Sequence, residues 1–385
     1  MKRFMFGSIL RKLPLFIVLT VVLCSIAIFS SNSVDFVVGH YLGAYSPNNN
    51  IGDSGILTLL IFFFIFMTFL PLFSMNYRYS LAKADVFKQA PLRKKTIRYA
   101  EHLSTLVIIL IGFTFAYSLF VGLLAFKNAY AKIPNYYSTD YVYTIGTLYY
   151  VHFIPLYFAT IFFGVAQYFI SYFFVSRCNC ARNSVIVLLM GELALMAFVS
   201  IIASLINTSY YSSGIYVYVC FTGASPALPI ITLYQVFNFA LTSNENYFSF
   251  LTGDTAPLVI SMLILSFTIF FAMAILGVVA FTNEQDPSGE FAGKSNTKKP
   301  YQEIIFHVGF ALFGAFISAM VLRLNLLSYF LFLVLFLAAY YPLYGTLIRN
   351  FKLKPWQIGI IAGVVLFVIV IGAMDNWLYN YRDFH

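Results

Sequence analysis

Apolar residues run along this chain in blocks of about twenty, parted by short polar stretches. A helix needs about 20 apolar residues to cross roughly 30 Å of hydrocarbon, where the backbone must satisfy its own hydrogen bonds. Each block therefore predicts a transmembrane helix. The blocks are Leu13–Ser31, Ser54–Ser74, Leu103–Phe126, Tyr150–Val175, Ser184–Ile206, Pro257–Phe281, Ile304–Leu322, Leu326–Ile348 and Gln357–Met374, nine in all. The short Arg323–Asn325 turn makes the seventh and eighth a tight hairpin. The first block follows the basic segment Met1–Lys12, as an export signal would. It has no small-x-small cleavage site after it and is long for such a signal, so it is expected to stay as the first span.

The polar stretches divide the chain. Six spans lie within residues 1–282, a polar linker covers 283–303, and three further spans fill 304–385. Asn32–Asp53 and Lys127–Tyr149 read as loops rich in Tyr, Asn and Ser. Asn207–Ala256 is longer. Within it, Ser225-Pro226-Ala227-Leu228-Pro229 leads into Ile230–Leu241, which is too short to cross. A re-entrant or interfacial helix opened by proline fits that stretch. Met1–Lys12 sets Phe4, Phe6 and Ile9 among Lys2, Arg3, Arg11 and Lys12, the pattern of a short interfacial helix.

Composition agrees with the pattern. The 385 residues are 61% hydrophobic and 10% charged, whereas soluble domains carry about 25% charged residues. An ordinary soluble enzyme is excluded. The fold class expected is an all-α polytopic membrane protein of the cell membrane.

The net charge of +9 looks at first like a nucleic-acid signature. Its placement says otherwise. With the N-terminus in the cytoplasm, 19 Lys and Arg fall in inside segments and four outside (Lys127, Lys132, Arg323, Arg382). That is the bias of membrane topology, so the bilayer and not nucleic acid is the expected partner. The C-terminus then lies outside.

Several residues carry candidate chemistry. The inside segment 75–102 is the densest in charge, with Asp85, Phe87, Pro91, Arg93 and Lys94 in order. Pro91 ends one helix, and a polar helix is expected from about Arg93 into the third span. Charge alone would let this elbow be a lipid-attracted basic loop. Glu192 is the one acid inside a predicted span. It serves either a helix–helix hydrogen bond or a substrate path, and it is expected nearer the cytoplasm than the midplane. His152 and His307 fall near span ends, where interfacial placement explains them. Cys178-x-Cys180 offers too few ligands for zinc, so no metal is expected. Gly289–Ser295 has the wrong spacing and setting for a phosphate loop, and neither H-E-x-x-H nor G-x-S-x-G occurs.

Three places resemble the permease subunits of ABC-2 type transporters of the Gram-positive branch. Ala84-Asp85-Val86-Phe87 with Pro91-Leu92-Arg93-Lys94 is similar to the family's A-D-x-[FY]…S-L-P-[VI]-x-R element, Gln89-Ala90 standing where Ser-Leu is usual. Ser225-Pro226 is similar to the family's outer Ser-Pro. Ser288–Gly293 is similar to its S-E-x-A-G element, with Gly289 inserted. The resemblance covers about residues 1–300. It implies a six-span permease core and a coupling helix around Asp85–Arg98 that docks on a separate ATPase subunit. It further implies an outer re-entrant helix after Ser225, an N-terminal connecting helix, and a second permease chain completing the path. ATP and magnesium would sit on the partner ATPase, with no cofactor in this chain and no enzymatic activity of its own. The cargo expected from apolar walls is amphipathic: a peptide, an antimicrobial, or a lipid-like molecule. A secondary transporter without an ATPase and a membrane-embedded lipid-modifying enzyme are the alternatives.

Overall fold

The computed structural model describes residues 7, 10, 12–32, 37–41, 54–79, 94–131, 141–145, 153–206, 229–230, 232–233, 256–283, 299–324 and 326–383. Among these residues nine helices are long and apolar enough to cross a membrane, the mark of a multi-pass membrane protein. They are α1 (Leu13–Asn32), α2 (Ser54–Ser74), α3 (Lys94–Ala131), α4 (Phe153–Val175), α5 (Ala181–Ile206), α6 (Ala256–Thr282), α7 (Lys299–Leu324), α8 (Leu326–Ile348) and α9 (Pro355–Asp383).

The apolar blocks set where the helices lie, and several helices start upstream of them in polar sequence. α1, α2 and α8 follow their blocks within a residue. α3 starts at Lys94, far upstream of Leu103, and its 38 residues span about 57 Å at 1.5 Å per residue. α7 starts at Lys299, which turns Gln302 and Glu303, expected in the linker, into helix residues. α9 starts at Pro355, a good first residue because its missing N–H is not needed there. The Gln357 side chain accepts the Lys354 N–H at 2.9 Å and closes that cap. At the end of α8, Arg349 takes the left-handed conformation (φ 56°) and the Asn350 N–H reaches the Gly345 carbonyl at 3.1 Å. Gly345 allows this, since the Phe351 ring lies where a Cβ would be.

Two strands were not expected. β1 (Val37–Tyr41) and β2 (Tyr141–Ile145) pair antiparallel, with Val37 opposite Ile145 and Tyr41 opposite Tyr141. Both are rich in Val and Tyr, residues that favour a pleated ribbon.

Packing divides the chain into two compact units. The first unit comprises Met1–Leu70, Lys95–Val165 and Pro229–Gly253. Its core is aromatic. Phe63 and Phe113 lie 4.0 Å apart by ring centroid, and Tyr157 stacks on Phe113 at 6.2 Å. Tyr157 also shares a 2.6 Å hydrogen bond with Thr114, and Tyr117 donates to the Phe153 carbonyl at 2.9 Å. Gly164 lets the Phe63 ring sit against α4, since a Cβ there would come within 2.6 Å of it.

The second unit comprises Pro71–Lys94, Ala166–Leu228 and Asp254–His385. It sets α7, α8 and α9 together with α5 and the second half of α4. Close approach rests on glycines, as is common where helices pack in lipid. Gly309 of α7 faces the Met190 carbonyl of α5, and Gly277 of α6 faces the Phe169 carbonyl of α4. Gly314 lies under Phe336 of α8 and Val368 of α9. Ser318 donates to the Val368 carbonyl at 3.0 Å. His307, expected at an interface, instead shares a 2.5 Å hydrogen bond with Tyr340 and packs on Tyr344.

Contacts within each unit agree with helices that cross in alternate directions. In the first unit, β1 follows α1 and β2 follows α3, and the two pair. In the second, Asn183 at the start of α5 meets Gln302 at the start of α7 and Leu347 at the end of α8. A reporter inserted in the 132–140 loop should therefore read the opposite side of the membrane from one in the 283–298 loop. Two reporters reading the same side would break the alternation.

The glycine contacts predict a second measurement. Alanine normally stabilises a helix relative to glycine by about 1 kcal/mol. Gly363→Ala, with open space around it, should keep that gain. Gly277→Ala places its methyl against the Phe169 carbonyl and should lower the midpoint of thermal unfolding, the overpacking cost being about 1–3 kcal/mol. Equal midpoints for the two variants would contradict the packing.

Candidate functional site

Glu192 sits on α5, which begins at Ala181, earlier than the apolar block suggested. It lies within the apolar segment Ala181–Ile202. The side chain is buried at 6% exposure, where an unsupported carboxylate would be costly. α4 supplies the support. Gln167 donates its amide to Glu192 Oε1 at 3.0 Å and Ser171 donates its hydroxyl to the same oxygen at 2.8 Å. The two donors are four residues apart and share one face of α4, as helical geometry requires. Next to Glu192, Gly191 lies under the Phe174 ring, and Met190 meets Gly309 of α7. Three consecutive residues of α5 thus hold α4 and α7.

A second polar layer forms where α4 ends and α5 begins. The last carbonyls of a helix have no partner within it. Asn183 donates its amide to Gln302 Oε1 at 3.0 Å and to the Leu347 carbonyl in the last turn of α8 at 3.3 Å. Gln302 in turn donates to the Arg177 carbonyl at 3.0 Å, just past the end of α4. The Arg177 guanidinium lies over Phe173 at 4.7 Å and Tyr301 at 5.5 Å. Gln357 of α9 joins by donating to the Tyr344 hydroxyl at 3.1 Å. Arg78, fully buried after the 3-10 turn Asn76–Arg78, donates to the Ser176 carbonyl at 3.4 Å and to Asn179 Oδ1 at 3.3 Å.

The first unit holds a separate cluster. Lys12, just before α1, forms an ion pair with Glu101 of α3 at 2.7 Å. Its ammonium also donates to the Glu101 carbonyl, Ser104 and Thr105, at 2.9, 3.0 and 2.6 Å. Burial pulls the Lys12 ammonium below the ordinary lysine value, and the Glu101 carboxylate pushes back. The cluster fastens the entry of α1 to the polar start of α3.

Of the residues singled out from sequence, Asp85, Phe87, Pro91, Arg93, Ser225 and Pro226 lie outside the described residues. Lys94 is the first residue of α3, close to the expected helix start. Glu192 is buried and bonded to α4 as above. Sequence reading passed over Gln167, Ser171, Arg78, Asn183 and Gln302. The first two carry a readable signal, polar residues four apart inside an apolar span. The other three sit at helix ends among ordinary loop residues and gave none.

Among the described residues, no three His, Cys, Asp or Glu side chains gather as a metal would need. The arrangement is one of helix-to-helix fastening. Glu192 is its carboxylate held between α4 and α5.

Loss of a donor to Glu192 should be costly. Gln167→Leu leaves the carboxylate with one bond fewer from α4 and should destabilise the protein by about 1–3 kcal/mol. Glu192→Leu with Gln167→Leu should cost less than the sum of the single changes, because both partners leave together. Additive effects would show that α4 and α5 do not depend on this bond. No protein-family model matches the chain, and no curated protein or solved structure matches it either.

Proposed function

We propose that this chain is the transmembrane subunit of an ATP-driven exporter of the ABC-2 type, working with separate ATPase subunits and a second permease chain in the bacterial plasma membrane. The observation that carries the reading is the anchoring of the elbow. The segment entering it ends at Arg78, whose guanidinium is buried against Ser176 and Asn179 of the α4–α5 turn. The segment leaving it is helical from Lys94. A push on residues 79–93 is thereby delivered to α4 and α5, which carry Glu192.

The rest of the reading follows from charge and chemistry. The basic residues crowd the side that holds the elbow, which places it toward the cytoplasm. No phosphate loop occurs in these 385 residues, so the energy has to arrive from another chain. Closure of an ATPase pair would displace the elbow and reorient the helices as rigid bodies. The cargo that suits such apolar walls is amphipathic: a peptide, an antimicrobial, or a lipid-like molecule. The carboxylate of Glu192, buried within an apolar helix, favours a second reading, a secondary transporter driven by an ion or proton.

The combined substitution Asp85→Ala with Arg93→Ala separates the two. The exporter reading expects wild-type chain to co-purify with an ATPase subunit and the double variant to lose it while remaining folded. Transport that proceeds without any ATPase, unaffected by the double change, would overturn the exporter and leave the secondary transporter.

A further inference from the structure

The turn between α4 and α5 is held from two directions. From the elbow side, Arg78 reaches the Ser176 carbonyl and Asn179. From the C-terminal helices, Gln302 donates to the Arg177 carbonyl, and the Tyr301 ring covers the Arg177 guanidinium. A few residues on, Asn183 ties the same Gln302 to the last turn of α8. Packing adds register to these bonds. At Gly309 a Cβ would come within 2.5 Å of the Met190 carbonyl, so α7 cannot slide along α5 without first separating from it. The elbow segment Pro71–Lys94 and all of α7, α8 and α9 accordingly belong to one compact unit.

We propose that this turn, residues 176–180, is a relay that passes displacement of the elbow to α7, α8 and α9, so that the three C-terminal spans are a driven part of the transporter. The proposal rests on the exporter reading for the source of the motion. Its physical basis is the burial of these groups. Breaking a buried bond at the turn leaves a donor or carbonyl unmet, so the elements on either side move together rather than apart. Arg78 and Gln302 are the positioning residues, each bonded to the turn.

Cys178 and Cys180 lie in the turn and are buried, so their thiols report its opening. The full chain, with Cys24 and Cys220 changed to serine, is placed in lipid nanodiscs and labelled with a membrane-permeant maleimide. Arg78→Gln and Gln302→Leu should each speed labelling about tenfold, and together by less than the product, since both hold one turn. Gln302→Asn, a milder change, should act in the same direction where the leucine variant does not fold. Labelling unchanged by either Gln302 variant overturns the relay.

A second arm tests the drive. A fluorophore on a cysteine replacing Lys352, exposed between α8 and α9, is read in a chain otherwise free of cysteine and bound to the ATPase subunit that co-purifies with it. ATP should change the signal in the otherwise unaltered chain and not in Gln302→Leu. No ATP response with the ATPase bound overturns the relay. If no ATPase binds at all, the exporter reading fails and the drive fails with it, even where the labelling arm shows the turn held from both sides.

Discussion

A polar side chain inside hydrocarbon has no water to turn to, and the packing of this protein follows from that constraint. Glu192 can stay within an apolar helix because α4 turns two donors toward one of its oxygens. Asn183 and Gln302 are placed where helix ends leave carbonyls unmet, and each supplies what the neighbouring end lacks. The apolar surfaces would allow helices to slide past one another, since lipid is as good a neighbour as leucine. The polar bonds and the glycine contacts fix which helices meet and in what register.

α5 concentrates these devices. Its first turns carry Asn183, its middle carries Met190, Gly191 and Glu192, and its partners are α4, α7 and α8. That arrangement gives the C-terminal helices a place in the same compact unit as the segment leading into the elbow. In the exporter we propose, such a unit would carry a push at the elbow to several spans without its being lost in the lipid between them.

Much of the fold was legible from the chain. Apolar blocks of about twenty residues have one good solution in a bilayer, and among the described residues nine helices long and apolar enough to cross stand where the nine blocks lie. Helix starts were less legible, because α3, α7 and α9 extend into polar sequence whose side chains find partners only in the folded protein. Gln302 looks like a linker residue until Asn183 and Arg177, more than a hundred positions away in sequence, come to meet it. Arg78 reads as one more basic loop residue and is in fact fully buried. The β1–β2 ribbon was hidden because each strand alone is a short Val- and Tyr-rich piece of a loop, and pairing joins segments a hundred residues apart. Glu192 was visible as the lone acid of a predicted span, while its partners Gln167 and Ser171 lie on another helix.

The claim on which the rest stands is that α7 is fixed to the start of α5. Its most direct test replaces Asn183 and Gln302 by cysteine in a chain whose native cysteines are serine, and treats membranes with a short bifunctional thiol reagent. The account predicts an efficient link between the two positions, and none when the second cysteine replaces Leu327 at the opposite end of the α7–α8 pair. A chain in which positions 183 and 302 do not link, while both cysteines react singly, would contradict it.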